Sequence, residues 1–389
     1  MSDTELGGNW NFPTSITAGA GTIHQLADCC LQLGMRTPLL VTDPGLAALP
    51  MVGEVLAQCR AAGIEVGLFS DIKSNPTGQN VTDGVAAFAA GRHDGVIAFG
   101  GGSAIDAAKA IALMTGQNRP LWDFEDFEEN WTRIDEASIV PIIAVPTTAG
   151  TGSEVGRAAL ITDEQCHVKK IVFHPKLLPA RVILDPHLTV GLPAALTAAT
   201  GMDALSHNLE ALCSSSYHPM AEGIAVEGIR LVREYLPGAV ADGGNITARM
   251  QMLVASSMGA SAFQKGLGAM HALAHPLGAL YDAHHGLLNA ILMPYVLKAN
   301  RQEITQRIAR AARYIELEEP SFDGFLAWVL DLRELIGIPH TLEDIGIDLQ
   351  QQQLVGQMAS EDLTAGTNPI IFTANQYADL FAQAVKGDL

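Results

Sequence analysis

Basic side chains are scarce in this 389-residue chain. Its 23 Lys and Arg face 42 Asp and Glu, which gives a formal net charge of −19 with His neutral. A negative field of this size repels nucleic-acid phosphates and anionic lipid headgroups. The sequence also lacks an uninterrupted apolar run of the roughly 18 residues that a membrane-spanning helix needs. We therefore expect neither nucleic acid nor a membrane as a partner.

Paired cysteines are missing as well. The five cysteines form no C-x-x-C pair, and their odd number argues against a disulfide framework and against a thiolate zinc site. The opening residues Met1–Glu5 are acidic and lack the basic-then-apolar order of a signal peptide. Both observations predict a reducing, cytoplasmic location. With 48% apolar and only 17% charged residues, the chain has enough material for a large core, which excludes disorder.

The first half of the chain alternates short apolar runs with helical patterns. This order is typical of a parallel sheet with crossover helices. The runs that we predict as buried strands are Pro38–Asp43, Ile64–Phe69, Gly95–Gly100, Val140–Val145 and Arg181–Asp185.

After Asp185 the strand pattern ends and helical periodicity takes over, in segments beginning at Pro193, Ile246, Leu287, Ile304 and Phe325. We predict an α/β domain over residues 1–188 and an all-helical domain over residues 189–389.

A triple-glycine turn follows the third predicted strand, in the segment Val96–Lys109. Glycine permits positive φ and close approach of a ligand, and a helix N-terminus offers free N–H groups to an anion. We predict that Ser103 caps this helix and that the turn holds a pyrophosphate. The segment is neither G-x-G-x-x-G nor a Walker loop, so a purely structural role for its glycines stays open.

Two further segments follow predicted strands of the same sheet. Pro146–Glu154 forms a second polar turn, and Asp43 ends the first strand. Loops at the carboxyl ends of parallel strands share one crevice, where Asp43 would accept from ribose hydroxyls and repel a 2′-phosphate. That interpretation favours NAD over NADP. The alternative for Asp43 is a turn residue before Pro44.

Histidines are concentrated in the second half. Asp203 and His207 are four residues apart, as are His271 and His275, and on a helix this spacing places both side chains on one face. His285 follows shortly after and precedes Gly286. One carboxylate and three imidazoles suit Fe²⁺ or Zn²⁺ and leave a position for substrate. Either pair alone is equally consistent with polar residues of a helix that bind no metal.

The chain resembles the iron-containing (group III) alcohol dehydrogenases over nearly its whole length. Four segments carry the resemblance: Gly100–Lys109, Pro146–Val155, Asp185–Glu210 and His271–Gly286. It implies a Rossmann-like N-terminal domain and an all-helical C-terminal domain, as in dehydroquinate synthase.

The resemblance also implies roles for individual residues. Asp203, His207, His271 and His285 would bind one divalent metal, Fe²⁺ or alternatively Zn²⁺, and His275 would relay a proton. The residues that match cofactor contacts are Asp43, Asn75, Gly101, Gly102, Ser103, Asp106, Thr147, Thr148, Thr151, Lys169 and Leu188.

The activity that follows is hydride transfer between an alcohol, or the matching aldehyde or ketone, and NAD, in a homodimer or larger homo-oligomer. Relatives specific for 4-hydroxybutyrate, lactaldehyde or a diol, glycerol or maleylacetate remain alternatives, as do a dehydroquinate synthase-like lyase and a non-catalytic binding module. Two departures stand out. His284 precedes His285 where many relatives have proline, and Ile370 stands where relatives often carry arginine.

Overall fold

The computed structural model of the protein describes residues 8–10, 14–166 and 168–389, so the acidic start Met1–Glu5 lies outside the described residues. The strands are β1 (Gly8–Trp10), β2 (Ser15–Ala18), β3 (Leu39–Val41), β4 (Gly67–Phe69), β5 (Val96–Gly100), β6 (Ile142–Pro146), β7 (Ala158–Asp163), β8 (Val168–Phe173) and β9 (Arg181–Leu184). The helices are α1 (Leu26–Gln32), α2 (Pro44–Ala47), α3 (Pro50–Ala61), α4 (Gly78–Gly91), α5 (Gly102–Met114), α6 (Ala194–Cys213), α7 (Pro219–Ala241), α8 (Ile246–Ala262), α9 (Ala269–Tyr281), α10 (His285–Tyr314), α11 (Phe322–Leu335), α12 (Gln352–Glu361) and α13 (Ala374–Lys386).

The main sheet confirms the predicted parallel architecture. Its strands run in the order β1-β2-β9-β6-β5-β3-β4, and each neighbouring pair is parallel except β1 with β2. The chain leaves β3 for the edge strand β4 and returns to β5 on the other side of β3. The order therefore reverses between β3 and β5, which is where open α/β sheets bind ligands.

Side-chain alternation explains how this sheet is covered. Leu40, Ile97 and Ile143 occupy equivalent positions on adjacent strands and point to the same face. They form one buried core with apolar residues of α1 and α3, among them Cys30 and Val55. Helix α5 packs against β3, β5 and β6. This packing fixes the loops at the carboxyl ends of those strands, including the glycine turn.

An antiparallel hairpin, β7 with β8, lies outside the main sheet and was missed by the sequence reasoning. Its first strand alternates buried and half-buried residues, but its second carries two adjacent lysines and has a single buried residue, Val172. Helix α5 packs on β7.

The chain divides into two compact units: Met1–Thr148 with Gly152–Gly191, and Ala149–Thr151 with Leu192–Leu389. The short segment Ala149–Thr151 belongs to the second unit although the residues on both sides of it belong to the first. No single boundary in the sequence therefore separates the two units. Within the described part of the second unit all regular structure is helical, and α6, α7, α8, α9 and α10 enclose its core. The predicted segments at Leu287 and Ile304 form one continuous helix, α10. No helix among the described residues has the length and apolar character to cross a membrane.

Candidate metal and cofactor sites

Helix α6 carries two of the predicted metal ligands. Asp203 and His207 lie one turn apart and are both buried. A Cβ at Gly286 would lie 2.5 Å from the Ala199 carbonyl oxygen and 2.9 Å from the Asp203 Cβ. Glycine at this position therefore lets the first turn of α10 approach α6, and this brings His285 beside Asp203.

The four predicted ligands meet at one point of the second unit. One ligand atom from each of Asp203, His207, His271 and His285 lies within 4.8 Å of the others. The Nε2 atom of His285 is 3.8 Å from Oδ1 of Asp203, and the rings of His207 and His271 stack with centroids 4.7 Å apart. Side chains of these types, this close together, are a group that could hold one divalent cation.

Glu210 sets the ring orientation of His271. Its carboxylate lies 2.7 Å from Nδ1 of His271 and accepts the backbone N–H groups of Gly268, at 2.9 Å, and Met270, at 2.7 Å. Burial raises the pKa of Glu210 to about 7, against the opposing effect of those two hydrogen bonds. A carboxylate on Nδ1 favours the tautomer that leaves the Nε2 lone pair for a metal.

Charge and desolvation make the set suitable for a dication. Burial, and secondarily the neighbouring His207, hold the pKa of His271 well below its usual value, so its imidazole is neutral. Neutral imidazoles and one carboxylate are ligands that Fe²⁺ and Zn²⁺ accept. The residues present therefore fit the implied metal.

His275 lies next to these ligands, with its ring stacked on that of His285 at a centroid distance of 5.5 Å. Its Nδ1 is 2.8 Å from Oδ2 of Asp362. Burial alone would raise the pKa of Asp362, but His275 and the hydrogen bonds from Thr364 hold it below its usual range. The pair is thus a carboxylate–imidazole dyad beside the predicted metal ligands.

His284 has a different position from its neighbour. It is exposed and precedes α10, where its Nδ1 accepts the backbone N–H of Leu287 at 3.3 Å. It does not belong to the ligand cluster found among the described residues.

Sequence reasoning missed three residues of this site: Glu210, Asp362 and Asn289. Glu210 follows His207 by three residues on α6, and Asn289 follows His285 by four on α10, so helical spacing offered a signal for both. Asn289 Nδ2 donates to Oδ1 of Asp203 at 2.9 Å. For Asp362, which is 87 residues from His275, the linear sequence carried no signal.

The glycine turn of the first unit has the conformation that its sequence predicted. Gly100 has φ +148°, and a Cβ there would lie 2.8 Å from the Cβ of Ala104. Helix α5 begins at Gly102, and no side chain caps it. The predicted cap by Ser103 is wrong because Ser103 already lies inside the first turn, where its hydroxyl donates to the Ser74 carbonyl.

Asp106 points into the first unit. Its carboxylate accepts from the Ser153 hydroxyl and from the Leu160 N–H at 3.1 Å, and Lys109 Nζ is 3.8 Å away. Lys109 donates in turn to Ser153 Oγ at 2.7 Å and to the Ala158 carbonyl at 2.9 Å. These bonds join α5 to β7 and the turn before it. A cofactor contact by Asp106 stays a prediction.

The remaining predicted cofactor residues occupy varied environments. Oδ1 of Asp43 accepts from Leu46 N–H at 2.9 Å and so caps α2, which is the alternative role considered for it. Thr147 and Leu188 are buried, and Thr147 N–H donates to the Gly100 carbonyl. Lys169 lies opposite Thr162 in the hairpin. The others are half-buried: Asn75, Gly101, Gly102, Thr148 and, in the second unit, Thr151.

Comparison with known proteins extends over both units. The model of the family "Iron-containing alcohol dehydrogenase" matches residues 13–186, and that of "Fe-containing alcohol dehydrogenase family, C-terminal" matches residues 197–385. A 4-hydroxybutyrate dehydrogenase of Cupriavidus necator is 38% identical, covering 96% of this chain and 99% of that protein. An NAD-dependent methanol dehydrogenase of Bacillus methanolicus is 34% identical, covering 97% and 100%.

A solved structure gives the same result. The crystal structure of a 1,3-propanediol oxidoreductase superposes with a TM-score of 0.90 at 37% identity, covering 95% of this chain and 97% of that one. The predicted fold class is confirmed, and so is the predicted activity, an oxidoreductase acting on CH–OH groups with NAD and a divalent metal. The chain belongs to the iron-containing alcohol dehydrogenase family.

Proposed function

We propose that this chain oxidises short primary alcohols with NAD and reduces the matching aldehydes. The convergence of Asp203, His207, His271 and His285 on one point, with the His275–Asp362 dyad beside it, carries the proposal. The names of the similar proteins support the substrate class, since 4-hydroxybutyrate, methanol and 1,3-propanediol are all primary alcohols.

The cation and NAD supply the reactive chemistry. A divalent cation, when bound, supplies Lewis acidity toward a hydroxyl group, and NAD supplies the hydride acceptor. Asp203, His207, His271 and His285 are the residues that would hold the cation. Because Asp203 is the one carboxylate of this set, the four ligands would compensate only part of a double positive charge. The remaining positive charge favours an anionic alcohol oxygen over a neutral one.

His275 is the group proposed to move the proton. Because its Nδ1 faces Asp362, that nitrogen is held as the N–H donor and Nε2 is left to take a proton. Asp362 then stabilises the imidazolium that forms. General acid–base groups of this kind contribute about 10²–10⁴-fold to rates.

The glycine turn and the start of α5 are proposed to bind the pyrophosphate of NAD. The helix begins with free backbone N–H groups and no side-chain cap, an arrangement that attracts anions. Oδ2 of Asp43 is proposed as the acceptor for a ribose hydroxyl, with Oδ1 holding the cap of α2. An extra 2′-phosphate would meet a carboxylate there, so NAD is preferred over NADP.

The test is a substrate panel with the purified protein loaded with Fe²⁺ or with Zn²⁺. Methanol, 1,3-propanediol, 4-hydroxybutyrate, glycerol and 1,2-propanediol, the diol that corresponds to lactaldehyde, are each combined with NAD and with NADP, and formation of the reduced cofactor is followed by absorbance. His271→Ala should lose both metal and turnover, whereas His24→Ala, at an exposed histidine of the first unit, should keep both. Absence of net cofactor reduction with every alcohol of the panel would contradict the proposal and favour the lyase alternative.

We also propose a cytoplasmic location and a homo-oligomeric state. The cysteines of the described residues are all free, which suits a reducing compartment. Tyr217, between α6 and α7, and Met220, in the first turn of α7, are 91% and 64% exposed, and a second copy of the chain would cover them. Light scattering of the purified protein tests the assembly.

A further inference from the structure

Asn289 occupies a central place among the metal ligands although it is not one of them. It lies on α10, one turn after His285, and is fully buried. Its Nδ2 is 2.9 Å from Oδ1 of Asp203, and 3.2 Å from Nε2 of both His271 and His285. One amide nitrogen thus contacts three of the four atoms that would bind the cation.

The orientation of this amide follows from Asp203. If the amide were turned over, its oxygen would face a carboxylate oxygen at 2.9 Å, and two acceptors repel at that distance. The nitrogen therefore faces the ligands. Its two hydrogens cannot serve three acceptors, and the amide oxygen is buried without a hydrogen-bond partner. A buried acceptor without a partner calls for an explanation, and the contacts of the amide nitrogen with the ligand atoms supply one.

Cation binding changes what the amide can do. The Nε2 atom of each imidazole has a single lone pair, which a cation would occupy. Oδ1 of Asp203 has two, so it can bind a cation and still accept from Asn289. The amide thus fixes the direction in which the carboxylate offers its remaining lone pair.

We propose that Asn289 is a positioning residue of the metal site: its N–H orients Asp203, and its side chain closes the face of the ligand set formed by Asp203, His271 and His285. Four ligands define four triangular faces, each formed by three of them, and each of the other three faces includes His207. Water or alcohol must then approach the cation across a face that contains His207. This inference rests on the metal-binding part of the proposed function.

Two substitutions separate the two roles. Asn289→Leu keeps the branched shape and the number of heavy atoms but removes the N–H, whereas Asn289→Ala removes the N–H and opens the face. Asn300→Ala is the matched control, because Asn300 is also a buried amide on α10 but bonds to Asn368. The readouts are the affinity for Zn²⁺ in competition with a chelator, the visible spectrum of the Co²⁺-loaded protein, and thermal unfolding without metal.

We expect both Asn289 variants to bind Zn²⁺ about 10–100-fold more weakly, the usual effect of losing an outer-shell partner. The Co²⁺ bands should weaken in Asn289→Ala alone, since water entering the open face raises the coordination number. Asn300→Ala should change only thermal unfolding. Wild-type Zn²⁺ affinity in Asn289→Leu would overturn the orienting role, and an unchanged Co²⁺ spectrum in Asn289→Ala would overturn the closure. Failure of the wild-type protein to bind any metal would instead refute the proposed function.

Discussion

Replacing Glu210 by glutamine tests whether a residue outside the ligand set prepares His271 for the metal. The substitution keeps size and shape but exchanges one acceptor oxygen for a donor. The glutamine oxygen can replace Oε2, which serves Gly268 and His271. Its amide nitrogen then faces the Met270 N–H, donor against donor. In the reverse orientation the amide nitrogen would face the Nδ1–H of His271, again donor against donor, so this orientation would also disturb the tautomer of His271 and is the less favourable one.

The magnitudes follow from these contacts. One buried N–H left without an acceptor costs about 1–3 kcal/mol of unfolding free energy. Loss of the carboxylate behind a ligating histidine should weaken metal binding about 10–100-fold. That factor corresponds to roughly 1.4–2.7 kcal/mol.

The assay combines chelator competition for Zn²⁺ with denaturant unfolding of the metal-free protein. Asp185→Asn is the matched control. Asp185 is a fully buried carboxylate of the first unit that accepts the backbone N–H groups of Gly21, Ile23 and His187 at 3.0–3.1 Å. Its substitution should cost a similar free energy of unfolding while leaving Zn²⁺ affinity unchanged. If Glu210→Gln were destabilised yet bound Zn²⁺ like the wild type, the reasoning about His271 would be refuted.

Three further predictions concern pH, backbone and proton transfer. The pKa of Glu210 is raised from 4.5 to about 7, so without metal its contribution to stability should fall by about 3 kcal/mol as pH rises through that interval. The check is to measure the free energy of unfolding of the wild type and of Glu210→Gln at several pH values. If the two free energies changed with pH in parallel, the prediction would be contradicted. Gly100→Ala should destabilise the protein and weaken NAD binding, because Gly100 has a positive φ and an added Cβ would contact Ala104. Gly53→Ala, at an exposed position within α3, should instead stabilise the protein by about 0.5–1 kcal/mol. Thermal melting and NAD titration of both variants check this. His275→Ala, Asp362→Asn and the double substitution should each lower turnover by about 10²-fold, and additive losses would show that the two residues act separately.

Periodicity located most of the elements and placed two pairs of candidate metal-site residues on helix faces. Apolar runs predicted β3, β5, β6 and β9 to within a few residues, because strands buried on both faces are continuous in hydrophobicity. The run Ile64–Phe69 located β4, but this edge strand is half-buried to exposed and not buried as predicted. The spacing of four placed Asp203 with His207 and His271 with His275 on helix faces. The hairpin of β7 and β8 escaped prediction because β8 lacks a consistently buried face.

The sequence by itself determined the classes of structure and indicated the four residues predicted to bind the metal, since helical spacing, residue chemistry and the motifs shared with the family can all be read along the chain. Only the tertiary structure decided what supports them. Glu210 meets His271 across 61 residues and Asn289 meets Asp203 across 86, contacts that exist because packing of α6, α9 and α10 brings these positions together. Packing also turned Asp106 toward Ser153, a direction that no spacing along α5 reveals.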